Sequence, residues 1–289
     1  MRLLQAEVDE GGEASHLRFL HDNKHIKYVK IAAGLYTADD MCFGPTITSL
    51  LQPLLPPGAW NYGYMTKHPE TGLPHFTEAA QKQLRSVSSV WHPITVDYLD
   101  LVLGESLKPG VYDATCSRFN TPVVAKFACW EWEIGYLDNE CAAYQLLEGH
   151  NIGPKFLGHI AEEGRVIGFL TERVMDGDFD ARHATPADLE ACSQALAKLH
   201  QLGMLHGDVY RYNILVTSQG VTLIDFANAR KSEDPAAFEE EMQVLEERLH
   251  SELGKPGGRF LEESDFEAYV PTEVEGAMDA PGSVMNGKE

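Results

Sequence analysis

The stretch from residue 206, HGDVYRYNILVTSQGVTLIDFANAR, sets His206, Asp208, Asn213 and Asp225 around a short apolar pattern. NILV and VTLID are apolar and rich in β-branched residues, and Thr217-Ser218-Gln219-Gly220 between them has the composition of a hairpin turn. If Thr217 pairs with Gly220, Asn213 faces residue 224, next to Asp225. An amide oxygen and a carboxylate then meet at the open end of the hairpin, with Asp208 and His206 in the loop just before it. Oxygen ligands converging on one point suit magnesium, a hard cation that leaves positions for phosphate and water. The plainer alternative is a hairpin whose ends happen to be polar, since Asp and Asn are common in turns.

Other elements must hold these residues in place. DYLDLVLGESL, VYDATCSR and TPVVAKFACW predict three successive strands with turn residues between them. LDNECAAYQLLEG predicts a helix, with Asp138 as its N-cap and Gly149 beyond its end. KFLGHI and GRVIGFLTERV predict short strands. In TPADLEACSQALAKLHQLG, Thr185 is the N-cap, Pro186 suits the first helical position and Asp188 closes a capping box. Leu189, Cys192, Leu196 and Leu199 then share one helical face, and Gly203 ends the run. AAFEEEMQVLEERLHSEL gives a last helix. Strands followed by helices predict an α+β chain, an antiparallel sheet lobe and then a helical lobe. Residues 1–95 are less legible. HLRFLHDNKHIKYVKIAAGL suits helix or strand, and SLLQPLLPPGAWNYGYMTKHPETGLP reads as a loop pinned by Trp60, Tyr62 and Tyr64. The expected divisions are an N-terminal extension over 1–95, a β-rich lobe over 96–175, a helical lobe over 176–253 and a mobile acidic tail over 254–289.

The net charge of −21 argues against nucleic acid or an anionic membrane as partner, because binding phosphate needs a basic surface. Residues 231–289 hold 16 acids and 5 bases, the pattern of a solvating tail. No apolar run is long enough to span a membrane, and the start turns acidic by Glu7, unlike a targeting peptide, so a cytoplasmic protein is expected. The five cysteines form no CxxC pair and read as reduced thiols, with Cys129, Cys141 and Cys192 in the core. His21 and His25 are spaced for one helix face but have no metal-ligating partner in register.

HGDVYRYN followed by IDFANA resembles the catalytic loop and metal loop of the protein-kinase-like fold. The HGD form, with glycine where protein kinases usually carry arginine, is similar to aminoglycoside phosphotransferases, choline kinases and other small atypical kinases. The resemblance covers about residues 97–250. Ahead of it, PPGAWNYGY, TGLPHF and VWHPITVDYLDL resemble the leader of a group of small kinase-like proteins of filamentous fungi.

The resemblance implies a bilobal fold that uses ATP and Mg2+. Asp208 would orient an acceptor hydroxyl and receive its proton, Asn213 and Asp225 would hold magnesium, and His206 would be structural. VVAK matches the VAIK pattern, so Lys126 would hold the α- and β-phosphates and Val124, on the same strand face, would cover the adenine. A lysine in an apolar run needs a partner or an outlet to solvent. Glu140 matches the helix glutamate of the family, and Glu131 and Glu133 are rivals closer in sequence. TERVM resembles the hinge, with Glu172 offering its carbonyl and Val174 its N–H to the adenine.

Several departures stand out. There is no GxGxxG. Gly104 and Gly110 are what remain, with Leu107, Lys108 and Pro109 at the tip, which makes Lys108 a candidate phosphate contact. DFG reads Asp225-Phe226-Ala227, there is no APE, and control by activation-loop phosphorylation is not expected. The stretch after Arg230 is short for an acceptor lobe, so residues 1–95 are expected to wall the acceptor side. The expected activity is transfer of phosphate to a hydroxyl acceptor. The HGD form tilts toward a small molecule, and the acidic surface toward a neutral or cationic one. The alternatives are a nucleotide-binding pseudokinase scaffold or another nucleotidyl transfer. Acceptor identity and oligomeric state stay open.

Overall fold

The computed structural model describes residues 1–9 and 12–251; the tail expected over 254–289 lies outside the described residues. β1 (Arg2–Glu7) pairs with β2 (Ser15–His21), which turns into β3 (His25–Ile31). Two helices follow, α1 (Ala38–Cys42) and α2 (Gly44–Leu51). Next come β4 (Tyr62–Lys67), parallel to β3, and β5 (Pro74–Ala80), antiparallel to β4. The five strands form one sheet in chain order. Met41, Ile47 and Leu51 from the helices pack on Leu17, Phe19, Val29 and Ile31. The other face of the same strands sends Leu20, Ile26 and Tyr28 into the core of the next sheet. Buried on both faces, β2 and β3 lack the clean alternation of a half-buried strand, which is why helix and strand read alike there.

The loop expected around Trp60 needs correction, because it contains the regular strand β4. Gly63 and Met65 are its buried positions, so its period of two is carried by residues that do not advertise a strand. Trp60 does anchor the segment. It is buried, its indole N–H donates to the Pro56 carbonyl at 3.0 Å, and the Lys27 ammonium lies 3.9 Å above its ring.

The second sheet is built from β6 (Thr95–Asp97), β7 (Val102–Lys108), β8 (Val111–Thr115), β9 (Val123–Phe127), β10 (Phe156–Glu162) and β11 (Arg165–Glu172). Their order is β6-β10-β11-β9-β8-β7, antiparallel except where β6 joins β10. β11 lies so close to β9 that a Cβ on Gly168 would come within 2.2 Å of the Lys126 carbonyl. Between β9 and β10 runs α3 (Ile134–Leu147). Asp138 is not its N-cap. The helix starts one turn earlier, where Glu133 N–H donates to the Trp130 carbonyl. Asp138 sits inside it and accepts from the N–H groups of Ser88 and Ser89 and from the Ser88 hydroxyl. Gly149, with φ +79°, lies just past the end as expected.

β12 (Met175–Asp176) and β13 (Phe179–Asp180) make a small hairpin, and β14 (Arg182–His183) follows. The Thr185–Asp188 capping box is present and opens α4 (Leu189–Gln201) through a single 3₁₀ turn. Arg182 grips Asp188 with two nitrogens, at 2.7 and 2.6 Å. β15 (Met204–Leu205), β16 (Ile214–Thr217), β17 (Gly220–Leu223) and β18 (Arg230–Lys231) carry the loops of interest, and α5 (Pro235–His250) closes the lobe. One core runs from Leu137 and Tyr144 on α3 through Phe226 to Leu196 on α4 and Leu245 on α5. The arrangement is α+β, bilobal and protein-kinase-like, with an antiparallel sheet in the N-lobe and a reduced helical C-lobe. Among the described residues no helix is long and apolar enough to cross a membrane.

Candidate active site

The hairpin has the register read from its turn. Thr217 pairs with Gly220 and Ile214 with Leu223, and Ile224 N–H donates to the Asn213 carbonyl at 2.9 Å. Asp225 therefore emerges beside Asn213. Its backbone is left-handed (φ 68°, ψ 65°), a conformation that Asp adopts more readily than most residues. Ala227 lies in the following 3₁₀ turn, Phe226–Asn228, so the alanine in place of glycine is not asked for a positive φ. Asn139 on α3 fixes this turn by donating to the carbonyls of Ala227 and Ala229, at 2.8 and 2.9 Å.

Lys126 joins the two lobes. Its ammonium lies 2.7 Å from Glu140 Oε2 and 2.7 Å from Asp225 Oδ1. Glu140 Oε1 accepts the Phe226 N–H at 3.1 Å, so one buried carboxylate orients both the lysine and the loop. The rival carboxylates are used elsewhere: Glu131 accepts from Arg85 N–H, and Glu133 from Trp130 N–H. Burial works against the charge on Lys126, but Glu140 and Asp225 prevail and hold it protonated, well above the ordinary lysine range. Burial likewise pushes the Glu140 carboxyl up, against the pull of Lys126.

The loop before the hairpin is held from three sides. His206 is fully buried; Asp208 N–H donates to its Nδ1 at 3.3 Å, and its Nε2 is 3.1 Å from the Ile224 carbonyl. These two bonds require the neutral tautomer protonated at Nε2, and burial lowers the imidazole pKa in the same sense. Gly207 has φ +77°, and a Cβ there would meet the Asn228 carbonyl oxygen at 2.2 Å. The glycine of HGD is thus demanded by the close approach of the metal-loop backbone. From below, Glu241 on α5 accepts the N–H groups of His206 and Gly207 at 3.0 and 2.7 Å, and lies 2.8 Å from His200 Nε2. Burial opposes its charge, but these bonds hold the Glu241 carboxyl below the usual range.

Within this frame Asn213 donates from Nδ2 to Asp208 Oδ2 at 2.9 Å, and Lys108 Nζ donates to Asn213 Oδ1 at 3.2 Å. Arg248 Nη1 donates to Asp208 Oδ1 at 3.2 Å. Sequence reasoning missed Asn139, Glu241 and Arg248. Glu241 did leave a trace, since it shares the buried stripe of α5 with Leu245 and Leu249, where a charged residue needs a reason.

A cavity of about 300 Å³ opens between the lobes. Val124, Lys126 and Lys108 line it from the sheet, Glu172 and Val174 at the hinge, and Leu215, Ile224 and Asp225 from below. Gly104 and Gly110 do not line it. Gly104 backs onto Asp113, and Gly110 makes the turn, its carbonyl accepting the Phe127 N–H, so Leu107, Lys108 and Val111 form the roof instead. Every residue that lines this cavity lies between 107 and 225. Arg173 was unforeseen. It stands at the cavity edge and pairs with Asp113 and with Asp180.

Among the described residues no group of three or more His, Cys, Asp or Glu could hold a metal alone. Two oxygen donors are what a magnesium–phosphate complex asks of a protein, because phosphate and water fill the other positions. Asn213 Oδ1 and Asp225 Oδ1 fit that demand, and each already attracts a cationic nitrogen, from Lys108 and Lys126.

Residues 171–243 match the RIO domain. The match begins in the last residues of β11, passes through residues 172–174, the loop 206–213 and the turn 225–228, and ends in α5. It covers about a quarter of the chain. RIO domains are atypical protein-kinase-like, so this segment is similar to an ATP-binding phosphotransferase in general. The narrower resemblance to aminoglycoside phosphotransferases and choline kinases gains nothing from the match. No curated protein matches the sequence.

Proposed function

We propose that the protein is an ATP- and magnesium-dependent phosphotransferase with a hydroxyl acceptor. The observation that carries this reading is the single ammonium of Lys126 shared by Glu140 and Asp225, beside an apolar slot that ends at a hinge. In this reading the adenine lies against Val124, with the Glu172 carbonyl and the Val174 N–H as its hydrogen-bond partners. Lys126 keeps Glu140 and exchanges Asp225 for phosphate oxygens. Asp225 and Asn213 hold magnesium, which when bound neutralises phosphate charge. Asp208 orients the acceptor hydroxyl and takes its proton, with its carboxylate fixed by Asn213. Little covalent chemistry is left to the protein, and the rate comes from positioning and charge.

A small acceptor suits the C-lobe, where the described residues supply only α4 and α5 and no broad platform for a polypeptide. The test is ADP production from ATP by the wild type, Asp208→Ala, Asp225→Ala and Lys126→Ala over a panel of hydroxyl acceptors. The expected loss is at least about 10²-fold in each variant; equal rates in all four proteins discard the reading. One contact favours a second reading, nucleotide binding without turnover: Lys108 occupies the oxygen of Asn213 that a metal would need. Magnesium-dependent nucleotide binding with no transferred group would select it. A product heavier by a nucleotidyl group instead of a phosphoryl group would point to nucleotidyl transfer.

A further inference from the structure

α5 touches the catalytic loop twice. Glu241 and Arg248 are seven residues apart, two helical turns, and so lie on one face of the helix, with Leu245 buried between them. Glu241 holds the loop backbone at His206 and Gly207. Arg248, in the last turn, reaches the loop's carboxylate: Nη1 donates to Asp208 Oδ1 at 3.2 Å, and the guanidinium lies 5.9 Å from the centre of the buried Tyr210 ring. The other oxygen of Asp208 accepts from Asn213.

The plain alternative is a structural ion pair. Arg248 is partly exposed, and pairs of that kind contribute only ~0–1 kcal/mol to stability. Its position argues for more. Asp208 is the group that receives the acceptor proton, so a cation within one hydrogen bond of it lies beside the phosphoryl group in transit. That is where negative charge must be met in the transition state. Lys126, anchored by Glu140, meets the phosphates from the sheet side of the cavity, so it does not serve the side of the site where Asp208 stands. A guanidinium carries five N–H donors, so one can stay on Asp208 while others turn to phosphoryl oxygens.

We propose that Arg248 is a catalytic arginine supplied in cis by α5, and that its bond to Asp208 is its resting position. The proposal rests on the phosphotransferase reading. In the step it serves, the acceptor oxygen bonds to the γ-phosphorus while the bond from that phosphorus to the β–γ bridging oxygen breaks. The bridging oxygen leaves with the electron pair as part of ADP, and the acceptor proton passes to Asp208. Arg248 forms and breaks no covalent bond; it binds the equatorial oxygens.

The experiment measures magnesium-ATP turnover, with water as the common acceptor, for the wild type, Arg248→Ala, Arg248→Lys and Asp208→Ala. Nucleotide affinity and thermal midpoint are measured on the same proteins. The expected result is a fall in kcat of about 10²- to 10³-fold for Arg248→Ala. Nucleotide affinity and melting stay near wild type, Arg248→Lys is intermediate, and added guanidinium ion restores part of the Arg248→Ala rate. A structural role would not give that chemical rescue. An Arg248→Ala rate within about threefold of wild type, with Asp208→Ala inactive, overturns the proposal and leaves the phosphotransferase reading intact. A loss that tracks a lowered melting point and shows no rescue by guanidinium or by lysine overturns it as well. A wild type that turns over no ATP with water or with any hydroxyl acceptor of the panel removes the phosphotransferase reading and this proposal together.

Discussion

At the scale of single residues, two buried histidines resist protonation. His206 is held neutral between Asp208 N–H and the Ile224 carbonyl. His159 on β10 is fully buried, and its Nε2 accepts the N–H groups of Trp91 and His92 at 3.2 and 3.3 Å. Burial, with His92 beside it, pushes the His159 imidazole down to about 4, against 6.5 for an ordinary histidine. Between those values the unfolded chain binds the proton that the folded chain refuses, so stability falls as pH drops from 6.5 to 4 and is insensitive to this group above that window. The loss is about 3 kcal/mol when complete. His159→Gln keeps an acceptor near the Nε2 position and cannot titrate, so urea midpoints followed from pH 7 to pH 4 should fall less steeply than for the wild type; parallel curves would refute the assignment. Residues at this scale were legible in the sequence wherever the partner is local or patterned. Asn213 and Asp225 meet because a hairpin has only one sensible register around Ser218-Gln219. Glu140 stood among three candidate carboxylates until packing chose it, and Arg248 carried no local sign at all, because its partner is forty residues away.

At the scale of elements, α5 does work that its sequence hides. The run Glu239-Glu240-Glu241 reads as solvated acid, yet Glu241 turns inward and takes two backbone N–H groups of the catalytic loop. Glu241→Gln keeps the shape but offers a single acceptor oxygen, so one of those N–H groups faces an amide NH₂ and goes unsatisfied. The expected cost is about 1–3 kcal/mol, much of it local to the loop. Amide hydrogen exchange should show lost protection at His206 and Gly207, with α3 and β9 unchanged, and turnover should fall. Protection equal to wild type at both amides would mean that the loop is held by other contacts. Elements differed in legibility for physical reasons. α4 announced itself through Thr185, Pro186 and Asp188, since a capping box is written in adjacent residues. α3 was read correctly as a helix with the wrong beginning: Asp138 has the chemistry of a cap but spends it on Ser88 and Ser89, far away in the chain. β4 was hidden because a strand whose inward positions are Gly63 and Met65 shows no apolar alternation.

At the scale of the molecule, the decisive feature is a buried ionic knot between the two large sheets, made of residues that do not line the cavity. Arg18 on β2 is fully buried and donates to Glu162, at the end of β10, from Nε at 3.1 Å and Nη2 at 2.6 Å. The Tyr28 hydroxyl also donates to Glu162, Arg165 approaches the same carboxylate at 3.4 Å, and the Tyr98 ring lies 4.1 Å beneath the Arg18 guanidinium. Burying such a pair brings little net stability, because desolvation offsets the attraction, but removing one partner strands a charge in a dry place. Glu162→Ala should therefore cost about 3–5 kcal/mol. Joint replacement of the pair, Arg18→Met with Glu162→Leu, should recover most of that loss. The pair joins residues 144 positions apart, so it also fixes how the first sheet sits on the second. If the knot binds them into one folding unit, urea should unfold both sheets in a single transition in the wild type and in the double variant. Two observations would refute this: a Glu162→Ala cost below about 1 kcal/mol, the range of exposed pairs, or a separate early transition for residues 1–80 in the wild type.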